Sequence, residues 1–193
     1  MDRPAAIHVY VFSNHEKQAR GHSGNQIRRC TGEYLRLCGK GNIEIPEIYY
    51  PKTGKPRFAT DIGLHFSVSH SGQYWGCAIS GQPIGLDIQK KSNQYQRGIA
   101  ERFFHPDECR YLLEREFDGF FDIWAAKESY VKYSGQGIGD DFSSFSVVQQ
   151  GRISESVNGL CIQFLPLDLD YSICICAREL DATQVTVTID SEC

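Results

Sequence analysis

The chain has 193 residues, 41% of them hydrophobic and 23% charged. That is the composition of one folded domain of ordinary size, or two small ones sharing an interface, and it excludes a disordered chain. No apolar run approaches the roughly 20 residues of a membrane span, and Met1-Asp2-Arg3-Pro4 lacks the start of a secretory signal, so the cytoplasm is expected. A net charge of −4 argues against a nucleic-acid partner.

Residues 7–12 are β-branched and aromatic without helical spacing, which predicts a strand. Residues 17–38 predict a helix interrupted near Gly21–Gly24 and stopped by Gly39-Lys40-Gly41. It lies in a basic stretch: between His15 and Gly41, Lys17, Arg20, Arg28, Arg29, Arg36 and Lys40 face only Glu16 and Glu33. Such a stretch is either a solvated face or a docking face. Residues 43–50 read as extended, 51–56 as a turn cluster, and 66–69 and 74–80 as strands around Ser71-Gly72. A break at 80–83 precedes a short strand at 84–89.

In the second half, His105-Pro106-Asp107-Glu108 starts a helix, with proline and acids at its positive end. Cys109, Leu112, Leu113 and Phe117 form its apolar stripe. A second helix runs over 120–134 and ends at Gly135. Strands are expected at 142–148, 159–165, 171–177 and 185–189. The order predicts an α+β protein of two similar halves, each a small antiparallel sheet packed with helices, divided as residues 1–82 and 83–193. The eight cysteines contain no CxxC pair and no paired zinc spacing, so they read as structural thiols.

Three segments concentrate reactive side chains. In a strand over 84–89, Ile84, Leu86 and Ile88 share one face and Gly85, Asp87 and Gln89 the other. Asp87 is then either a hard-cation ligand beside a second oxygen at Gln89, or an edge-strand surface residue. On a helix, Trp124, Glu128 and Lys132 form one stripe with Lys127 at its side. That stripe suits either a core tryptophan with a surface ion pair, or a helix aiming charge at phosphates. Phe66-Ser67-Val68-Ser69-His70-Ser71 follows Gly54-Lys55-Pro56, and all these polar types bind phosphate. Ser69 and His70 point to opposite faces of a strand, which disfavours a nucleophilic Ser–His dyad.

Together, Gly54-Lys55-Pro56, Phe66 to Ser71, Ile84-Gly85-Leu86-Asp87, Phe103-Phe104 with Glu108, Trp124 to Lys132, and Asp141 to Val147 resemble the phosphopantetheinyl transferase superfamily. The similarity is to its surfactin-synthetase-activating, two-half type, and covers about residues 52–150. The first 50 residues resemble it only loosely. The resemblance implies transfer of the 4′-phosphopantetheine arm of coenzyme A to a serine of an apo acyl or peptidyl carrier protein, by a monomer with its active site in a cleft between the halves. It implies Mg²⁺, or Mn²⁺, held by Asp87, Glu128 and Gln89. It further implies Glu128, Lys132 and Glu108 in catalysis, and Lys55, Ser69, His70, Lys127 and Arg20 in binding coenzyme A. Gln89 stands where many relatives carry an acid; this leaves open a module that binds coenzyme A or a carrier without turnover.

Overall fold

The computed structural model describes residues 6–13, 20–52, 54–92, 96–135, 140–180 and 185–190. Two four-stranded sheets organise it. The first has the order β12-β1-β5-β4, from β1 (Ile7–Ser13), β4 (His65–Ser71), β5 (Tyr74–Ser80) and β12 (Val185–Asp190). The second, β6-β11-β10-β9, comes from β6 (Ile84–Lys90), β9 (Ser156–Val157), β10 (Leu160–Phe164) and β11 (Tyr171–Ala177). Its pairings are antiparallel, as are those of β4, β5 and β1, whereas β12 runs parallel to β1. The strand at 185–190 therefore completes the first sheet, across the expected division at residue 82.

The strand alternation sorts the core into layers. Ile7, Val9 and Val11 of β1 pack with Ile84, Leu86 and Ile88 of β6 and with Ile173, Ile175 and Ala177 of β11, so the sheets meet face to face. Tyr10 and Phe12 point the other way, onto Ile27, Cys30 and Tyr34 of α1 (Arg20–Leu37). Cys174 and Cys176 of β11 point onto a helical layer of α2 (Gln96–Phe103), α3 (Pro106–Leu113) and α4 (Phe120–Ser134). Strands buried on both faces have no polar alternation to display, which is why β1 and β11 are apolar along most of their length. Cys30, Cys77, Cys174 and Cys176 serve as small buried hydrophobes and carry free thiols.

The sheets are joined by side chains instead of a backbone ladder. The hydroxyls of Ser67, Ser69 and Ser71 on β4 accept the backbone N–H groups of Leu86, Ile88 and Lys90 on β6, at 3.0, 3.1 and 2.9 Å. Ser67, Ser69 and Ser71 are alternate residues of β4, so all three share the face turned to β6.

Several expectations need correction. Helix α1 runs without interruption through Gly21 and Gly24, and residues 17–19 lie outside the described set. The extended stretch 43–50 forms only the two-residue strand β2 (Ile48–Tyr49), paired with β3 (Arg57–Phe58). The expected strand 142–148 is a 3-10 turn at Asp140–Ser143, because Phe142 and Phe145 turn together onto Trp124 and Tyr130. Only β7 (Val148–Gln149) survives of it, paired with β8 (Arg152–Ile153). Leu113 is 53% exposed and leaves the apolar stripe, which Leu112 holds. Among the described residues no helix is long and apolar enough to cross a membrane.

Candidate active site

Gly85 sets the geometry. A Cβ there would lie 1.8 Å from the carbonyl oxygen of Ser129, so only glycine lets the backbone of α4 sit directly on β6. The close approach brings Asp87, two residues along the same strand face, against Lys132 and Glu128 one turn apart on α4.

Asp87 is 2% exposed, and donors surround it. Its Oδ1 accepts from Lys132 Nζ at 2.6 Å and from the Ser69 hydroxyl at 2.8 Å. Its Oδ2 accepts from Gln89 Nε2 at 2.7 Å. Lys132 Nζ also donates to Ser69 Oγ at 3.1 Å. The expected oxygen ligand at Gln89 is thus a donor that holds the carboxylate. Glu128 is 7% exposed, and its carboxylate has no hydrogen bond or ion pair among the described residues. Burial and the nearby Asp87 charge push its pKa up to about 7, against the opposing pull of Lys132.

This donor set fits a hard divalent cation. A carboxylate offers about four lone-pair sites, and the three donors on Asp87 leave one open on Oδ2. Glu128 supplies a second, unpartnered carboxylate whose repulsion with Asp87 a cation would relieve. Mg²⁺ typically takes one or two carboxylates and completes its shell with water and phosphate. Among the described residues no three His, Cys, Asp or Glu side chains converge on one point.

A cavity of about 250 Å³ opens beside the cluster, lined by Gly54, Lys55, Pro56, Phe66, Val131 and Gly135 as well as Glu128 and Lys132. Lys55 Nζ donates to the carbonyl of Ile84 at 3.0 Å, and burial lowers its pKa to about 8. The cavity thus holds two lysines near one unpartnered carboxyl. His70 is exposed, on the strand face opposite Ser69. Arg20 opens α1, and the description stops at its backbone.

Glu108 and Lys127 belong elsewhere. Both side chains are fully buried, with Lys127 Nζ 3.0 Å from Glu108 and 2.6 Å from the carbonyl of Phe145. Glu108 also accepts from the backbone N–H groups of Val147 and His105, and closes a capping box at the start of α3. The rings of Phe145, Phe142 and Phe104 flank the ammonium at 4.0, 5.1 and 6.0 Å. A side chain with no exposed surface and a closed set of partners has no atom to offer a substrate. The expected catalytic role of Glu108 and phosphate role of Lys127 give way to a structural one. Sequence reasoning missed the serine seam, although Ser67-Val68-Ser69-His70-Ser71 displays its period of two.

The profile of the 4′-phosphopantetheinyl transferase superfamily matches residues 83–189, which contain β6, α4 and the cluster between them. The 4′-phosphopantetheinyl transferase Sfp of Bacillus subtilis (strain 168) is 36% identical over 138 residues, 66% of this chain and 61% of that protein. The chain therefore spans about three fifths of that relative's length. The 4′-phosphopantetheinyl transferase ffp of Bacillus subtilis is 34% identical over 176 residues, 86% of this chain and 76% of that protein. AcpT of Escherichia coli (strain K12), a 4′-phosphopantetheinyl transferase, is 30% identical over 153 residues, 76% of this chain and 72% of that protein. A profile match over more than half the chain, and relatives that extend over most of it, lead to one conclusion: the chain belongs to the 4′-phosphopantetheinyl transferase superfamily.

Proposed function

We propose that the chain transfers the 4′-phosphopantetheine group of coenzyme A to a serine of an apo carrier protein, with Mg²⁺ or Mn²⁺ bound by Asp87 and Glu128. The observation that carries this reading is the convergence of those two carboxylates with Lys132, beside a cavity that Glu128 and Lys132 line. When bound, the cation supplies positive charge against the pyrophosphate.

The residues divide the remaining work. Glu128, or a water it holds, takes the proton of the carrier serine. The serine oxygen forms a bond to the β-phosphorus, the bond to the leaving phosphate breaks, and adenosine 3′,5′-bisphosphate departs. Lys132 donates to the phosphate that gathers charge. Lys55, His70 and Arg20 contact the phosphates and nucleotide of coenzyme A.

The site lies in a cleft between two pseudo-symmetric halves divided near residue 82, with residues 185–190 returned to the first. Each half contributes a four-stranded sheet and a helical cover. Ser69 and Lys55 come from the first and Asp87, Glu128 and Lys132 from the second, so one chain completes the site and a monomer suffices. Coenzyme A as co-substrate places the reaction in the cytoplasm.

Incubation with coenzyme A, Mg²⁺ and a panel of apo carrier proteins, read by intact mass, tests the reading. One carrier should gain the phosphopantetheine mass with Mg²⁺ and not with chelator. No gain on any carrier while coenzyme A still binds would favour a module without turnover.

A further inference from the structure

The Ser69 hydroxyl has one donor and two acceptor positions, and the protein uses all three. It donates to Asp87 Oδ1 at 2.8 Å, and it accepts from the Ile88 N–H at 3.1 Å and from Lys132 Nζ at 3.1 Å. The side chain is 7% exposed and sits on a strand whose neighbouring serines are pinned to β6 in the same way. The hydroxyl is therefore saturated before any ligand arrives, and its three partners belong to β6 and α4.

We infer that Ser69 is a positioning residue, which fixes the Asp87 carboxylate and the Lys132 ammonium relative to each other, and not a ligand of coenzyme A. By occupying Oδ1 together with Lys132, it leaves Oδ2, which accepts only from Gln89 Nε2 at 2.7 Å, with the one lone pair left to ligate. By accepting from Lys132, it holds the ammonium beside the carboxylate instead of across it. The Ile88 N–H anchors this arrangement to rigid backbone. A ligand of coenzyme A would need a free donor, and Ser69 has none.

The kinetic part of the test rests on the proposed transferase reaction; the cation-binding part does not. Ser69→Ala and Ser71→Ala each remove one rung of the seam, but Ser71 touches neither Asp87 nor Lys132. With saturating carrier, Ser69→Ala should lower kcat by about 10- to 100-fold, the usual effect of losing a partner that orients a metal ligand. The KM for coenzyme A should stay within about twofold, since no ligand contact is lost. Ser71→Ala should match wild type in both constants. Ser69→Thr, which keeps the hydroxyl, should recover most of the kcat. Without substrates, isothermal titration with Mn²⁺ should show affinity about 10-fold weaker in Ser69→Ala than in Ser71→Ala.

A rise in the KM for coenzyme A with kcat unchanged would overturn the inference and make Ser69 a phosphate ligand. Equal loss in Ser69→Ala and Ser71→Ala would overturn it too, reducing Ser69 to a rung of the seam. Should Ser69→Ala fail to fold, Ser69→Cys, with the same shape and a weak donor, takes its place in both assays. If wild type loads no carrier, the transferase reading fails, and the Mn²⁺ affinities still decide the role of Ser69.

Discussion

Glu128 keeps its proton in the folded chain to higher pH than an ordinary carboxyl, up to about 7 against a reference of 4.5, because it is buried beside Asp87. Between those values the folded state binds a proton that the unfolded state has lost. Its contribution is therefore complete below pH 4.5 and is lost as pH rises through 7. Glu128→Gln should remove that loss and stabilise the cation-free protein at pH 8 by on the order of 2–3 kcal/mol. Denaturant unfolding at pH 5 and pH 8 reads it; equal wild-type stability at both would refute the assignment. Asp87→Ala should abolish cation-dependent loading while far-UV circular dichroism is unchanged, and substantial loading at low Mg²⁺ would exclude Asp87 as a ligand. Gln89→Glu replaces the donor at 2.7 Å from Asp87 with a second carboxylate. It should lower the melting temperature in chelator and enlarge the rise produced by Mg²⁺. An unchanged rise would place residue 89 outside the cation's reach.

At the scale of elements, the contact between β6 and α4 decides most. Gly85→Ala would drive a methyl group into the backbone of α4. It should cost more than about 4 kcal/mol or leave no soluble protein; a stable Ala variant would mean that α4 can lift off the sheet. Lys127→Met leaves Glu108 charged and unpaired inside the protein, at a cost of about 3–5 kcal/mol, and adding Glu108→Gln should recover part of it. The sequence made much of this legible. Residues 171–177 and 120–134 follow their apolar patterns, Glu128 and Lys132 share one helix as their spacing suggested, and Asp87 meets Lys132 as the family resemblance implied. What it concealed are tertiary facts. The type of Lys127 is that of a phosphate ligand, and only its enclosure by Phe104, Phe142 and Phe145 makes it a core residue. Phe142 to Val148 alternates acceptably for a strand, and the aromatic cluster that bends it draws on residues from three separate segments.

Across the whole molecule, charge is uneven despite the net −4. Arg28, Arg29, Arg36 and Lys40 all lie exposed on or beside α1, the outer layer of the first sheet. Carrier proteins of the proposed kind are acidic, so this face is proposed to receive them. Reversing Arg36 and Lys40 to Glu spares the Arg28 bond to Ile45 and the stacking of Arg29 on Phe12. It should raise the KM for carrier and leave that for coenzyme A unchanged, with a defect that shrinks as salt screens it over a Debye length of roughly 8 Å. No change in either constant would make the face ordinary surface. The parallel pairing of β12 with β1 has a consequence for how the protein is made. Ile7 leaves the ribosome well before its register partner Val185. Until then β1 carries an unpaired edge open to wrong partners, so folding should be largely post-translational. A chain truncated after residue 184 would keep that open edge permanently, and should regain order only when a peptide containing residues 185–190 is supplied in trans.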